Sequence, residues 1–260
     1  MSNGNSSDAR SLEKAALLLR NARYAIALTG AGISTPSGIP DFRSANSGLW
    51  ESTDPRVASI LGFRRNPQAF FEWIRPLARL MREADVNPAH LALARLEQRG
   101  VLKGVITQNI DMLHTRAGSQ TVYEIHGSIR RATCLKCYKT YPVEAFLERF
   151  IETGEIPRCP EDGGILKPDV ILFGEQLPLK VLQAAQRAAR ECDVMLVAGS
   201  SLAVAPASEL PLIALAHGAK LIIVNYEATY IDEQAQVVIH DDVAHVLPRL
   251  VEVLESGEGK

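Results

Sequence analysis

Short apolar runs alternate along the chain with segments whose apolar residues recur at helical spacing. The runs have the length and composition of buried strands, and they lie at 24–28, in a stretch ending at residue 107, and at 122–125, 194–198 and 221–224. Helices are predicted at 12–19, 87–100, 178–190, 206–217 and 242–254, with Asn87 and Asp242 as N-caps. This alternation predicts an α/β fold with a mostly parallel sheet and helices on both of its faces.

Two segments, 44–85 and 127–168, interrupt the alternation. The first contains no clear strand, and its aromatic residues fit a helical flap with a long mobile loop at its start. The second carries three of the four cysteines. Because both segments leave the sheet near its ligand-binding loops and return there, we expect them to form a smaller lobe over the sheet. A second substrate would bind in the cleft between the two lobes.

Two glycines directly follow the first apolar run. Gly30 and Gly32 would let the backbone turn sharply and approach a pyrophosphate without interference from a Cβ atom. The helix start that follows would direct its N–H groups at the phosphates. Thr35 stands where the usual dinucleotide fingerprint has its third glycine, so the two glycines alone favour an ordinary strand-to-helix turn.

Polar clusters also follow the other predicted strands. They begin at Gln108, His126, Gly199 and Asn225. The carboxyl ends of parallel strands meet at one edge of a sheet, where open α/β sheets bind their ligands. The arrangement therefore favours one dinucleotide site built from five loops.

The composition limits the possible partners. A chain of 260 residues that is 47% hydrophobic can bury a substantial core. Its net charge of −2 and its lack of a basic stripe argue against nonspecific nucleic-acid binding. No apolar run is long enough to cross a bilayer, and residues 1–10 are too polar for a signal peptide. We expect a cytoplasmic protein without nucleic-acid or membrane partners.

The cysteines form an incomplete pair of metal-binding knuckles, Cys134-x-x-Cys137 and Cys159-x-x-Asp162. Two such pairs at this separation indicate zinc, and a carboxylate can replace one thiolate. The predicted structural Zn²⁺ site, with these four ligands, would be weaker and more pH-sensitive than a four-thiolate site. The alternative is a metal-free knuckle that buries its thiols. Cys192, at the entrance to an apolar strand, is expected to be a buried thiol without function.

Together these segments resemble the sirtuin family of NAD-dependent protein deacylases, over about 15–254. The motifs occur in family order: G-A-G-I-S, G-I-P-D-F-R, T-Q-N-I-D-x-L-H, E-I-H-G, the cysteine knuckles, K-P-D-V-I-L-F-G-E and G-S-S-L-x-V-x-P. The resemblance implies a single catalytic core over 1–260. Its Rossmann-like domain would comprise about 10–44, 86–126 and 169–255, and its small lobe a helical module at about 45–85 and a zinc-ribbon-like module at about 127–168.

The resemblance also implies roles for individual residues. NAD, the co-substrate, would contact Gly30, Ala31, Gly32, Ser34, Asp41, Phe42, Arg43, Gln108, Asn109, Ile110, Asp111, Gly199, Ser200, Ser201, Asn225 and Asp242. The implied catalytic residues are His126, as the base, and Asn109. An acetylated peptide would bind as an extended middle strand, flanked by Val170, Phe173, Gly174, Glu175 and Val204.

The implied reaction requires a pocket that orients the two substrates and a histidine that acts as a base. Cleavage of nicotinamide from NAD builds oxocarbenium character at the ribose, so the site must orient the acyl-lysine oxygen against that carbon and exclude water. A histidine with a pKa near neutrality suits activation of the ribose hydroxyl that attacks the resulting imidate. Taken alone, His126 also fits a structural imidazole at a strand end. His114, which closes the Q-N-I-D-M-L-H motif, is expected to pack beneath that loop.

Other residues have simpler interpretations that the sequence leaves open. Asp111 also fits a helix N-cap. Asp41 and Arg43 also fit a surface pair. Val170 and Phe173, which would line a tunnel for the lysine stem, also fit ordinary core packing.

The resemblance also indicates which acyl group the protein would remove from lysine. Members that prefer succinyl or malonyl groups carry a tyrosine and an arginine three apart in the helical module, where Ile74 and Leu77 stand here. Acetyl is therefore predicted first, and nearby Arg75 leaves a desuccinylase open. A longer-chain deacylase is left open as well, since the sequence does not reveal whether longer acyl chains fit. A protein mono-ADP-ribosyltransferase and a catalytically silent NAD-sensing module are further alternatives. A hydride-transfer dehydrogenase is disfavoured, since the sequence contains no separate catalytic domain.

Overall fold

The structure, a computed structural model, describes residues 4–44 and 48–257. Part of the predicted mobile loop, 45–47, and the outermost residues of the predicted core lie outside them. The α-helices are α1 (Gly4–Arg20), α2 (Leu49–Ser52), α3 (Ile60–Arg65), α4 (Pro67–Glu83), α5 (Pro88–Gln98), α6 (Leu113–Arg116), α7 (Leu147–Thr153), α8 (Leu179–Glu191), α9 (Leu210–Ala216) and α10 (Val243–Ser256). The strands are β1 (Ala25–Thr29), β2 (Leu102–Thr107), β3 (Val122–Glu124), β4 (Gly127–Cys134), β5 (Thr140–Pro142), β6 (Leu166–Val170), β7 (Val194–Ala198), β8 (Lys220–Val224) and β9 (Val237–Ile239).

Six strands form a parallel sheet in the order β3-β2-β1-β7-β8-β9. Every residue of β1 and β7 is buried, as expected for parallel strands that are covered on both faces. Helices α1, α5 and α10 pack on one face, and α8 and α9 pack on the other. The predicted α/β fold with helices on both faces is confirmed. The strand order reverses between β2 and β7, on either side of β1, which places a ligand-binding crevice at the carboxyl end of β1.

The predicted helix termini are present. Asn87 caps α5, where its Oδ1 accepts the N–H of Ala89 at 2.9 Å, and the His90 side chain completes a capping box. Asp242 caps α10 by accepting the N–H of Ala244 at 2.8 Å. These side chains stabilise the two helices by satisfying N–H groups that have no partner within the helix.

The prediction that a helix starts directly after the first glycine turn is wrong. Two three-residue 3-10 helices, Ala31–Ile33 and Thr35–Ser37, take its place. Gly38, at φ 83°, ends the second in a left-handed conformation that favours glycine. The turn therefore does not open a long helix.

The two segments that interrupt the alternation pack together. Helices α3 and α4 meet α7 in an aromatic core that contains Phe63, Phe70, Phe71 and Phe150. The cysteine-containing segment forms an antiparallel sheet in the order β5-β4-β6. No helix within 4–44 and 48–257 is both long and apolar enough to span a membrane.

Candidate active site

A cavity of about 510 Å³ lies between the carboxyl ends of the central strands and the helical segment α2–α4. The predicted site residues that line it are Gly30, Ala31, Gly32, Ser34, Asp41, Phe42, Arg43, Gln108, Asn109, Ile110, Asp111, His126, Val170, Phe173, Gly174, Glu175, Gly199, Ser200, Ser201, Val204 and Asn225. One cavity therefore brings together the predicted nucleotide, catalytic and peptide residues. Asp242 is not among the lining residues.

The glycine turn is shaped by close contact with the loop after β7. The N–H of Gly32 donates to the carbonyl of Gly199 at 2.9 Å. A Cβ at Gly32 would lie 2.9 Å from the Gly199 oxygen, and one at Gly30 would lie 3.0 Å from it. Glycines are needed here for the approach of two protein backbones, whether or not a ligand is bound.

Asn109 links the loop after β2 to this turn. Its Nδ2 donates to the carbonyl of Gly30 at 3.1 Å and to Ser34 Oγ at 3.0 Å. Ser34 in turn donates to Asp111 Oδ2 at 2.7 Å. Because the amide nitrogen of Asn109 makes these bonds, its Oδ1 is left as its hydrogen-bond acceptor.

Asp111 lies almost wholly inside the protein, and burial raises the pKa of its carboxyl group. Its Oδ1 accepts the N–H of Leu113 at 2.9 Å, in the first turn of α6. The N-cap of α6 is Met112, so the N-cap interpretation of Asp111 is wrong by one residue. Asp111 precedes the cap, where one of its oxygens accepts the first N–H of the helix and the other accepts from Ser34.

His126 is held by the loop that carries Gln108. Its Nδ1 lies 3.0 Å from the Gln108 carbonyl oxygen, and a carbonyl can only accept, so Nδ1 carries the proton. Nε2 is then unprotonated. Burial lowers the pKa of His126, and the bond to the Gln108 carbonyl partly opposes that shift. The side chain of Gln108 reaches in the other direction and donates to Ser200 Oγ at 2.8 Å.

The charged loop after Pro40 is held by Asp41. One oxygen of its carboxylate accepts the N–H of Arg43 at 2.9 Å and the N–H of Ser44 at 2.7 Å. An ion pair between Asp41 and Arg43 is not found among the described residues. The Phe42 ring packs against Trp50, with the ring centroids 5.2 Å apart. The carboxylate therefore shapes this loop, and the aromatic pair forms one wall of the cavity.

Helix α4 contributes an apolar part of the cavity lining. Ile74 and Leu77 of α4 are buried and line it, and it continues along the same helix to Met81. Arg75 points away, since its guanidinium donates to the carbonyls of Ile151 and Glu152 at 2.9 and 2.7 Å. Within the described chain, Arg43 is the only lysine or arginine in the lining, and it lies on the loop after Pro40.

The segment after β6 is braced by an ion pair that sequence reasoning missed. Lys167 Nζ lies 2.9 Å from Glu175 Oε2 and donates to the Val170 carbonyl at 2.9 Å. The same Glu175 oxygen accepts the N–H of Leu172 at 2.8 Å. Lysine is rarely this buried without a partner. A lysine that directly follows apolar residues was therefore the available sequence signal for a buried ion pair.

Asn225 and Asp242 mark the far side of the sheet. Asn225 Nδ2 donates to the Glu227 carbonyl at 2.8 Å. Tyr226 and Glu227, which were not predicted, also line the cavity. Their position directly after a predicted strand was the only signal for them. Burial raises the pKa of Tyr226, and the neighbouring Asp242 carboxylate raises it further.

The cysteine knuckle lies outside the cavity. The ligand atoms of Cys134, Cys137, Cys159 and Asp162 lie within 4.8 Å of one another, and the sulfurs of Cys137 and Cys159 are 3.7 Å apart. Zinc–sulfur bonds of about 2.3 Å at tetrahedral angles place two sulfurs roughly 3.8 Å apart. The N–H of Gly164 orients the Asp162 carboxylate at 2.8 Å. The donor set and its spacing fit one tetrahedral zinc ion.

Two further expectations are confirmed. Cys192 is buried, donates to the Ala189 carbonyl at 3.3 Å, and has its pKa raised by burial to about 12. His114 is buried, and its Nε2 lies 2.9 Å from Thr29 Oγ1, which is bonded to the same Thr107 oxygen that accepts the N–H of Asn109. Neither residue lines the cavity.

Comparison with known proteins agrees with this geometry. A family model described as "Sir2 family" matches residues 30–206. The NAD-dependent protein deacylase 2 of Archaeoglobus fulgidus is 51% identical over 93% of this chain and 95% of its own. Further relatives, 41% to 48% identical, are named NAD-dependent protein deacetylases.

Solved structures extend the match to three dimensions. One, described as "Structural Basis for the Mechanism and Regulation of Sir2 Enzymes", has a TM-score of 0.90 and 49% identity, covering 95% of this chain and 98% of its own. Another, of Sir2Af2 bound to a myristoylated histone peptide, has a TM-score of 0.84 and 44% identity, with 96% and 99% covered. This chain therefore belongs to the Sir2 family.

Proposed function

We propose that the protein is an NAD-dependent protein-lysine deacetylase. It transfers the acetyl group from acetyl-lysine to ADP-ribose and releases nicotinamide and O-acetyl-ADP-ribose. One observation carries the proposal. An imidazole with an unprotonated Nε2, at His126, shares a cavity with the glycine turn, with Asn109 and with an apolar channel. The names of the curated relatives support it.

The co-substrate NAD would bind along the strand ends. Its pyrophosphate suits the turn at Gly30–Gly32 and the loop at Gly199–Ser201, where glycines let backbone approach phosphate closely. Asn225 and the neighbouring Asp242 would bind the adenosine half. Phe42 and Arg43 would cover the nicotinamide ribose, and the loop 108–111 would bind nicotinamide and that ribose.

The chemical steps follow from this placement. The carbonyl oxygen of the acetyl-lysine attacks the ribose carbon as nicotinamide leaves, which gives an imidate. His126 Nε2 then takes the proton of a ribose hydroxyl, and that hydroxyl attacks the imidate carbon. Water completes the transfer and releases the lysine amine. Because its pKa is lowered by burial, His126 is neutral and able to accept that proton at pH 7.

The acetylated peptide would bind as an extended strand between 170–175 and Val204. Main-chain pairing gives affinity with little demand on sequence, so broad substrate tolerance is expected. The ion pair of Lys167 and Glu175 supports this interpretation, because it fixes the backbone of the 170–175 segment before a peptide arrives.

A longer apolar acyl group is a second candidate substrate. Besides Ile74 and Leu77, the apolar part of the cavity lining includes Met81, one helical turn further along α4. The solved relative with a myristoylated peptide is consistent with that extension. Succinyl is disfavoured, because the Arg75 guanidinium is bound to carbonyls outside the cavity.

We propose that the chain is organised as one catalytic core with a larger domain and a small lobe. We assign the sheet and its helices to a Rossmann-like domain and the segments 45–85 and 127–168 to a small lobe.

One zinc ion, held by Cys134, Cys137, Cys159 and Asp162, would crosslink the knuckle and take no part in the reaction. All four cysteines are free thiols, which is typical of proteins in a reducing compartment and supports a cytoplasmic location.

Product analysis tests the proposal. The purified protein is incubated with NAD and an acetyl-lysine peptide, and the products are identified by mass spectrometry. Equal amounts of O-acetyl-ADP-ribose, nicotinamide and deacetylated peptide are expected from the parent protein. Because His126 acts after nicotinamide has left, folded His126→Ala should yield neither O-acetyl-ADP-ribose nor deacetylated peptide, and should release no more than about one nicotinamide per protein molecule. Free acetate as the only acyl product would contradict the route. ADP-ribosylated protein would support the transferase, and NAD binding without turnover the sensing module.

A further inference from the structure

Two buried histidines lie side by side beneath the loop that carries Asn109. His90 of α5 is 0% exposed and His114 of α6 is 2% exposed. Their rings meet edge to face, with centroids 4.9 Å apart and planes at 73°. Each ring has one nitrogen with a hydrogen-bond partner, whereas His90 Nε2 and His114 Nδ1 are buried without one. Buried polar atoms without partners are costly, so this pair calls for a physical explanation.

The partners of the bonded nitrogens fix both tautomers. His90 Nδ1 accepts the N–H of Asn87 at 3.4 Å, so the proton of a neutral ring is on Nε2. The hydroxyl of Thr29 donates to Thr107 Oγ1 at 2.9 Å, and its oxygen must therefore accept from His114 Nε2 at 2.9 Å. His114 Nδ1 is then unprotonated. The two unpartnered atoms are one donor and one acceptor, which are complementary.

The chain of bonds continues from this pair to Asn109. Thr107 Oγ1 also accepts the backbone N–H of Asn109 at 3.1 Å. At the other end, the Asn87 side chain donates to the carbonyl of Ile33 at 2.8 Å. Ile33 belongs to the 3-10 turn that follows Gly30, which is itself the acceptor for the Asn109 side chain. The chain thus contacts the glycine turn at one end and Asn109 at the other.

We propose that His90 and His114 are positioning residues, which hold the backbone of Asn109 against the glycine turn through Thr29 and Thr107. A donor at His90 Nε2 and an acceptor at His114 Nδ1 would complete the chain through one buried water. Neither histidine touches a ligand. The consequence for catalysis rests on the proposed NAD cleavage, in which Asn109 orients the reacting ribose.

The tautomers can be tested without any activity. In protein labelled with nitrogen-15 on histidine, both neutral rings should carry the proton on Nε2 at about pH 7. His90→Gln and His114→Gln variants assign the signals. A proton on Nδ1 of His114, or a charged ring at either position, would overturn the chain. This result is independent of whether the protein cleaves NAD, so the two proposals can fail separately.

Kinetics test the positioning role. His114→Leu removes the donor to Thr29 at similar volume, whereas His114→Gln keeps an N–H donor near the position of Nε2. We expect His114→Leu to lower kcat by about tenfold to a hundredfold with the KM for acetylated peptide unchanged, and His114→Gln to restore most of it. Equal kcat in the parent and in folded His114→Leu would refute the role, as would no restoration by His114→Gln.

A second pair covers the case in which His114→Leu does not fold. Thr107→Val removes the oxygen that accepts from Asn109 and keeps the shape of the side chain, while Thr107→Ser keeps the hydroxyl. The valine variant should show the same selective loss of kcat, and the serine variant should retain most of it. If the valine variant keeps the kcat of the parent, the link to Asn109 is refuted.

Discussion

Acidification from about pH 7 to about pH 5 should destabilise this protein steeply, because two histidines are buried as neutral rings. Burial lowers the pKa of His90 from 6.5 to about 4. Burial, with a smaller effect of the neighbouring His90, lowers the pKa of His114 from 6.5 to about 3. The unfolded chain therefore binds protons at both positions at pH values where the folded protein does not.

The size of the effect follows from the pKa differences. When the pKa of a base is lower in the folded state, the base has no effect on the unfolding free energy at pH values above its unfolded pKa. As the pH falls from the unfolded pKa toward the folded pKa, the unfolding free energy decreases. Each histidine costs about 1.4 kcal/mol per pH unit in that range. Two histidines between pH 6.5 and about pH 5 therefore cost roughly 4 kcal/mol, a large share of the ~5–15 kcal/mol that stabilises a typical domain.

Other groups make a matched comparison necessary. Burial raises the pKa of Asp111 and Glu124, so their protonation in the folded protein offsets part of the loss. Urea unfolding is therefore measured over this pH range for the parent and for the His90→Gln/His114→Gln double variant. Since the variant lacks only the two titrating rings, the difference in unfolding free energy between the proteins should change by roughly 4 kcal/mol. A pH dependence that is parallel in both proteins would refute the reasoning.

Three further predictions concern the channel, the knuckle and the glycine turn. Leu77→Arg should shift the ratio of kcat/KM for succinylated over acetylated peptide at least about tenfold toward succinyl, whereas Arg75→Leu, outside the cavity, should leave that ratio unchanged. Metal analysis should find about one zinc per chain, with less zinc and a lower Tm in Asp162→Ala; metal-free protein of equal Tm would contradict the site. Gly32→Ala should cost about 1–3 kcal/mol in urea unfolding and raise the KM for NAD, while Gly38→Ala, with open space around its Cβ but φ at 83°, should cost about 1 kcal/mol and leave that KM unchanged. Equal effects of the two glycine substitutions on the KM for NAD would contradict the assignment of the turn.

The parallel sheet was predictable because its central strands are buried on both faces. Complete burial leaves continuous apolar runs in the sequence, and the ends of those runs located the polar loops. The N-caps Asn87 and Asp242 were predictable because a cap binds N–H groups within three residues of its own position in the sequence. Strand β9, with three residues, is too short to produce a periodic signal.

Contacts between distant segments were not predictable from the sequence. The 3-10 turn after Gly30 is shaped by the loop at Gly199, which lies far along the chain. The bonds of Asn109 to the glycine turn and the bracing of Glu175 by Lys167 likewise depend on tertiary approach. The residue types along the sequence therefore predicted the chemistry of the site. The contacts that hold those residues in place became visible only in the folded structure.

The fate of the acetyl oxygen tests the central claim most directly. If the acetyl-lysine carbonyl attacks the ribose carbon, its oxygen must leave with ADP-ribose, and water must supply the carbonyl oxygen of the transferred acetyl group. A peptide carrying oxygen-18 in its acetyl carbonyl is incubated with NAD, and the products are fragmented in a mass spectrometer. The account predicts the label on the ribose portion of O-acetyl-ADP-ribose. Label retained in the acetyl group or in free acetate would contradict it.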